Sequence, residues 1–372
     1  MSRRGRVRTD FGLILGWDAG PEKNFGFDRP QAFAGPQKPI VYGGDGPACV
    51  IAPTGAGKSR DFVIPQLLTY PGPVVVLDPK GELSAICARR RRELGHQVAI
   101  LRPFHGPEAH SHRLNPFDIV GLDGACVDAD AEMLASLIGE GHDFAREPFW
   151  TDTATGITAG LIALILTQHP PESRNLNALR AYLYDQDLSY KLAVMMDENS
   201  VVSRFAREEI SGFLQHSADR TRESVLSTAT TYVKSLGSAH VAQCLEDSTI
   251  NLTEIVEGRS VDVFITIPPE KLRSHRALTR LWVGALLTAM MRRKRIPEQR
   301  TLFILDEAAA LGTFEPLLTA ATLLRGYGVQ LITIWQDLAQ ITHRMKACAQ
   351  RRTLVRSPRS SAMNSARAAK EA

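Results

Sequence analysis

No apolar run in this chain approaches the roughly 20 residues that a membrane-crossing helix needs. The most apolar stretches, residues 156–166 and 281–291, fall well short and read as helices buried in a soluble core. Arg3, Arg4, Arg6 and Arg8 mark the N-terminus, but the apolar segment of a secretory signal is missing, so the chain as given is expected in the cytoplasm. Cysteine is scarce: Cys49, Cys87, Cys126, Cys244 and Cys348 are scattered without CxxC spacing, which argues for reduced thiols and against a disulfide framework or a zinc site. His105, His110 and His112 share one loop but have no acidic or cysteine partner at ligand spacing. A large net charge is lacking too. The formal +4 comes from the last thirty residues, which hold eight of the 44 basic residues and one of the 40 acidic ones, leaving a slightly acidic body. Bulk charge therefore gives no argument for a nucleic-acid partner.

What the chain has is APTGAGKS at residues 52–59, directly after the apolar run 48–51 and before the helix expected over 58–68. This is the local order of a phosphate-cradling loop. Gly55 and Gly57 let the backbone fold back so that successive N–H groups, from Thr54 through Ala56 to Ser59, face an anion at a helix N-terminus. Lys58 supplies a mobile cation for the β- and γ-phosphates of ATP, and Ser59 a hydroxyl for Mg²⁺. The first position of the GxxxxGK[ST] pattern is Ala52 instead of glycine, and a bare GK[ST] is also compatible with an exposed turn before a helix.

A matching acidic pair closes another apolar strand, residues 301–305. Asp306 is suited to hold Mg²⁺ and Glu307 to polarise an attacking water, at the strand end where open α/β sheets place their chemistry. Taken alone, the pair can equally be read as capping the next helix.

At 372 residues with 44% apolar content, the chain can bury a large core. Short apolar or β-branched runs at 47–51, 74–77, 97–101, 261–267, 302–305 and 329–334 predict a mostly parallel sheet buried on both faces. Between about 126 and 257 strand signals stop and helical periodicity takes over. One stripe there is Val225, Leu226, Ala229, Val233 and Leu236, and another is Met133, Leu134, Leu137 and Ile138. The expected division is an N-terminal arm (1–40), a first motor segment (41–125), an all-α insertion (126–257), a second motor segment (258–342) and a basic, disordered tail (343–372). Two basic clusters, Arg89–Arg92 and Arg292–Arg295, each read either as a patch for phosphate backbones or as favourable charge at a helix C-terminus.

Together these motifs resemble the coupling ATPases of type IV secretion and bacterial conjugation, the TraG/TraD group. The resemblance runs from about residue 12 to 341. It also includes VVVLDPKGEL at 74–83, RPF at 102–104, LNPF at 114–117, FW at 149–150 and LLRGYGVQLITIWQDLAQ at 323–340. It implies a RecA-like P-loop ATPase with an inserted all-α domain, forming a homo-hexameric ring. Such a ring would move relaxase-bound single-stranded DNA or secreted proteins to the type IV secretion channel, at the cytoplasmic face of the inner membrane. It implies two further residues: Gln336, where similar motors sense the γ-phosphate, and Arg325, where relatives place a basic residue facing the neighbouring subunit's nucleotide. Arg325 can also be an ordinary surface arginine near a turn. Asp78, Lys80 and Glu82 are implied to lie beside the nucleotide. Against the family pattern, the chain is expected to lack the two N-terminal membrane helices and the end of the motor domain after Ile341. The alternative function is accordingly a truncated, catalytically impaired nucleotide- or substrate-binding remnant. A small-molecule kinase ranks last, because no acceptor-site or lid pattern is present.

Overall fold

All six runs expected as strands pair into one sheet. They are β3 (Ala48–Ile51), β4 (Val74–Leu77), β5 (Gln97–Leu101), β6 (Val261–Ile265), β7 (Thr301–Leu305) and β8 (Val329–Trp335), preceded in the chain by β1 (Leu13–Trp17) and β2 (Pro39–Tyr42). The computed structural model describes residues 12–17, 38–105, 111–139, 148–201, 203–216, 219–312, 314–344 and 353–356. The strand order is β5-β6-β4-β7-β8-β3-β9, where β9 is Thr353–Arg356, and every pairing in this sheet is parallel. Parallel strands need helical crossovers on both faces, which is why these runs are continuously apolar. Val75 and Leu77 of β4 feed the core on one face, and Val74 and Val76 feed the core on the other. Each fully buried aliphatic side chain of this kind contributes about 1.5–3 kcal/mol.

Helices α1 (Ile64–Thr69) and α2 (Glu82–Glu93) cover the second face. Between β5 and β6 run α3 (Val127–Gly139), α4 (Pro148–Gln168), α5 (Leu176–Leu183), α6 (Leu188–Asp197), α7 (Arg204–Leu214), α8 (Asp219–Val233), α9 (Ala239–Cys244) and α10 (Leu252–Glu257). After β6 come α11 (Pro269–Leu272), α12 (Arg276–Met291), α13 (Glu315–Leu323) and α14 (Leu338–Arg344). The helical stretch does not have a core of its own. Its buried residues form one continuous cluster with the first face of the sheet, and α12, buried along nearly its whole length, is the layer between them. Among the described residues α4 is the one helix long and apolar enough to cross a membrane. It is the centre of the helical layer, with Leu161 to Ile165 all buried.

Ahead of the large sheet in the chain lies a separate two-stranded ribbon. β1 and β2 pair antiparallel, from Leu13 opposite Tyr42 to Trp17 opposite Pro39. Gln66 of α1 pins them to the helix after the phosphate loop: its Oε1 accepts from Ile14 N at 3.0 Å and its Nε2 donates to Ile14 O.

Two expectations are corrected, and one open pair of readings is decided. The helix foreseen over 58–68 opens as a π-helical turn, Ser59–Val63, before α1 begins. The tail expected to be disordered contributes β9, which pairs with β3 at the sheet edge; Thr353, Leu354 and Val355 are strand formers within an Ala/Arg/Ser-rich segment. His343 and Arg344 of that tail end α14, and its remaining residues, Cys348 among them, lie outside the described residues, as does His110. The basic clusters stand at helix C-termini, as one of their two readings had it, with Arg90 to Arg92 in the last turn of α2 and Arg292 at the cap of α12, and most of their members pair within the protein. Arg91 is fully buried, with Nε 2.6 Å from Asp262 Oδ2 and Nη2 3.0 Å from Oδ1, and it also donates to the carbonyls of Tyr70 and Gly72. His96 Nδ1 lies 3.0 Å from Asp262 Oδ1. Burial pushes the Asp262 carboxyl up, but the bonds from His96 and Arg91 outweigh it and hold the group below its usual range. Arg89 and Arg90 pair with Glu93. In the second cluster Arg292 pairs with Asp130 and Lys294 with Asp123, while Arg293 is buried against Thr301 and the carbonyl of Ile255, its pKa lowered to about 10 by burial.

Candidate functional site

The phosphate loop hangs from the C-terminal end of β3. Ala52 continues the ladder, its N–H donating to Trp335 O at 3.0 Å, and Ala56 N closes a turn onto Pro53 O. Gly55 and Gly57 have φ of +81° and +79°, the left-handed region where a side chain is strained. A Cβ at Gly57 would also sit 2.3 Å from Asp61 Oδ2. Ala52 has no such demand, since the only non-glycine with positive φ among the described residues is Asn199, and alanine at the first motif position is therefore unstrained. No side chain caps the helical turn that begins after Lys58, which leaves that N-terminus open to an anion.

Strand order brings the other candidates to the same edge. β8 stands between β3 and β7, so the ends of the loop strand and of the acidic strand are two sheet spacings apart, about 10 Å. Ser59 Oγ lies 3.4 Å from both carboxylate oxygens of Asp306. Glu307, next in the chain, opens the turn Ala308–Leu311, and its Oε2 accepts from Gln336 Nε2 at 2.9 Å. Gln336 ends the intervening β8 and is held in turn: its N–H donates to Gln340 Oε1 at 3.1 Å, while Gln340 N donates to Asp337 Oδ1 at 2.8 Å. Sequence reasoning does not single out Gln340 and Asp337. Their signal is the Asp-x-x-Gln spacing of a helix N-terminus.

The acidic side of the site is under electrostatic load. Burial first, then repulsion by Asp78 and Glu307, raises the Asp306 pKa to about 6 against the opposing pull of Lys58 and Ser59. Asp78 is itself buried at the end of β4, raised by that burial, and accepts from Ser84 N at 2.8 Å at the start of α2. Lys80 and Glu82, by contrast, are exposed. Because the folded pKa of Asp306 exceeds its unfolded value, its ionised form penalises the fold. The penalty is absent below about pH 4, sets in as pH rises, and is complete above about pH 6. Asp306→Asn is accordingly expected to stabilise the nucleotide-free protein at pH 7.5 by up to about 3 kcal/mol, since each pH unit between the unfolded and folded pKa is worth about 1.4 kcal/mol. Chemical denaturation at pH 7.5 and pH 4 checks this, the gain being present only at the higher pH.

Ser59 and Asp306 fit a magnesium ion. They are hard oxygen donors, and their 3.4 Å separation is near the roughly 3 Å edge between neighbouring ligands of an octahedral ion with bonds of about 2.1 Å.

Arg325 is not part of this cluster. It lies in the turn Leu324–Tyr327 ahead of β8, at the opposite end of that strand from Gln336 and so about 20 Å away. Its Nε is 2.9 Å from Asp45 Oδ1, and Arg300 Nη2 is 3.0 Å from Asp45 Oδ2. Loop, acidic pair and Gln336 on adjoining strand ends of a parallel sheet define an α/β domain of the P-loop NTPase type.

The family described as "Type IV secretory system Conjugative DNA transfer" matches residues 23–365, and the chain belongs to it. It is 28% identical over 323 residues to the conjugal transfer protein TraG of Agrobacterium fabrum, covering 84% of this chain and 48% of TraG. It is 29% identical over 305 residues to the type IV secretion system-coupling protein VirD4 of Bartonella quintana, covering 78% of this chain and 46% of VirD4. The chain thus spans about half the length of these curated relatives. Among solved structures, the plasmid coupling protein TrwB in complex with the non-hydrolysable GTP analogue GDPNP has the same fold, with a TM-score of 0.60 at 19% identity over 80% of this chain and 65% of TrwB. TrwB in complex with ADP and Mg²⁺ is similar at a TM-score of 0.59 and 17% identity, again over 80% of this chain and 65% of TrwB.

Proposed function

We propose that this chain binds ATP with Mg²⁺ and hydrolyses it to drive conjugative transfer, moving relaxase-bound single-stranded DNA or protein substrates to the type IV secretion channel at the inner membrane. The observation that carries the reading is the meeting of Ser59 with Asp306 at 3.4 Å, beside the contact of the adjacent Glu307 with Gln336 at 2.9 Å. The names of the TraG and VirD4 relatives and the nucleotide complexes of TrwB support it.

In this mechanism the loop N–H groups from Thr54 to Ser59 and the Lys58 amine hold the β- and γ-phosphates. Ser59 and Asp306 would hold Mg²⁺, which supplies charge neutralisation on the phosphate oxygens. Glu307 takes a proton from the water that attacks the γ-phosphorus, as the bond to the bridging oxygen breaks and ADP leaves. Gln336 fixes the glutamate through its amide and is placed to register the γ-phosphate. Since Arg325 is on the far edge of the sheet from its own loop, any part it plays is at a neighbour's site in a homo-hexamer, where its guanidinium would neutralise transition-state charge.

Adding single-stranded DNA is expected to raise the rate of ATP turnover several-fold. A rate indifferent to DNA of any length would overturn the DNA-moving assignment, and ATP binding with no turnover would favour the impaired remnant.

A further inference from the structure

One stripe of α12 links the helical layer to the hydrolytic glutamate. Three successive turns are bolted to α3. A Cβ on Gly284 would meet Leu137 Cδ1 at 2.5 Å, Thr288 Oγ1 lies 3.9 Å from Met133 Sδ, and Arg292, just past the helix, pairs with Asp130. The partners run down α3 in reverse order, as two antiparallel helices in close contact require. One turn further toward the N-terminus the same stripe carries Arg280, an arginine only 1% exposed. Its Nε donates to Leu311 O at 2.7 Å. Leu311 ends the short turn that Glu307 opens, and that turn is closed by Ala310 N on Glu307 O at 3.0 Å and Gly312 N on Ala309 O at 3.1 Å. Arg280 Nη2 also stands 2.9 Å from where a Cβ on Gly312 would be, so the guanidinium is packed flush against the end of this turn.

We infer that Arg280 is the positioning residue for Glu307, and that α12 carries displacements of α3 to it as a rigid rod. This rests on Glu307 being the hydrolytic glutamate. The helix spans about 18 Å from Arg280 to Arg292 at 1.5 Å per residue, and its burial on all sides leaves it little room to bend. A shift of α3 therefore reaches the carbonyl of Leu311, and through three residues of tight turn the carboxylate itself. An engagement of the helical layer is read at the glutamate and not at the phosphate loop, which lies two strands away.

The test compares hydrolysis with binding in the full chain, using a non-hydrolysable ATP analogue with Mg²⁺ as the binding probe. Arg280→Gln is expected to keep analogue affinity within about twofold while kcat falls at least about tenfold, since a misplacement near 1 Å can cost a hundredfold. Gly284→Ala, which pushes α12 off Leu137, is expected to lower kcat in the same way, and the double variant to be no slower than Arg280→Gln alone. Should Arg280→Gln fail to fold, Arg280→Lys keeps the charge but cannot present Nε to Leu311, and the same split is expected. Wild-type kcat in the arginine variants, kcat and affinity falling together, or an additive double variant would each overturn the inference. Glu307→Gln separates the two layers. If that variant hydrolyses normally the reading of the site itself fails, whereas if it is dead and Arg280→Gln is normal only the role of Arg280 fails.

Discussion

Glu307→Gln is expected to bind ATP as the native protein does and to lose hydrolysis by a factor of about 10²–10⁴, the usual contribution of a general base. The amide is the same size as the carboxylate, and its oxygen can still accept from Gln336 Nε2, now 2.9 Å from Glu307 Oε2, so the strand end and the turn after it are undisturbed. On the proposed mechanism Lys58, Ser59 and Asp306 keep their places and continue to hold the nucleotide. Only the capacity to take a proton is gone. Phosphate release measured alongside analogue affinity reads both quantities in one preparation. Unchanged turnover would remove Glu307 from the chemistry, and a parallel loss of affinity would make it a binding group.

The phosphate loop and the six strands were legible because each is encoded locally. A glycine pair at fixed spacing after an apolar run specifies the loop, and an uninterrupted β-branched run such as VVVL at β4 is the habit of a strand buried on both faces, as in a parallel sheet. The helical region was legible by the same means, since strand signals are missing from 126 to 257. That its core is shared with the sheet through α12 was not, because a helix buried all round has no polar face to reveal what covers it.

What escaped the sequence depends on which strands become neighbours. The contact between Gln336 and Glu307 exists only because β8 is inserted between β3 and β7, and no local pattern states that order. The arginine clusters were ambiguous for the same reason. Arg91 looks like its neighbours Arg90 and Arg92 in the chain, yet it is fully buried on Asp262, 171 residues away. A run of like charges on a helix says nothing about which member turns inward. β9 was missed because composition over thirty residues outweighed three strand formers within them.

If Lys58 and the acidic pair serve one triphosphate, the decisive quantity is the affinity of the Lys58→Ala variant for an ATP analogue with Mg²⁺. Lys58 lies close enough to Asp306 to pull its pKa downward, so the amine is already at the metal side of the site. Removing it leaves the phosphates facing the mutually repelling carboxylates of Asp78, Asp306 and Glu307 with Mg²⁺ as the one remaining cation. A loss of about a hundredfold in affinity is expected, the scale of a charge-assisted contact of 2–3 kcal/mol, together with loss of turnover. Analogue binding as tight in Lys58→Ala as in the native protein would be incompatible with a shared triphosphate.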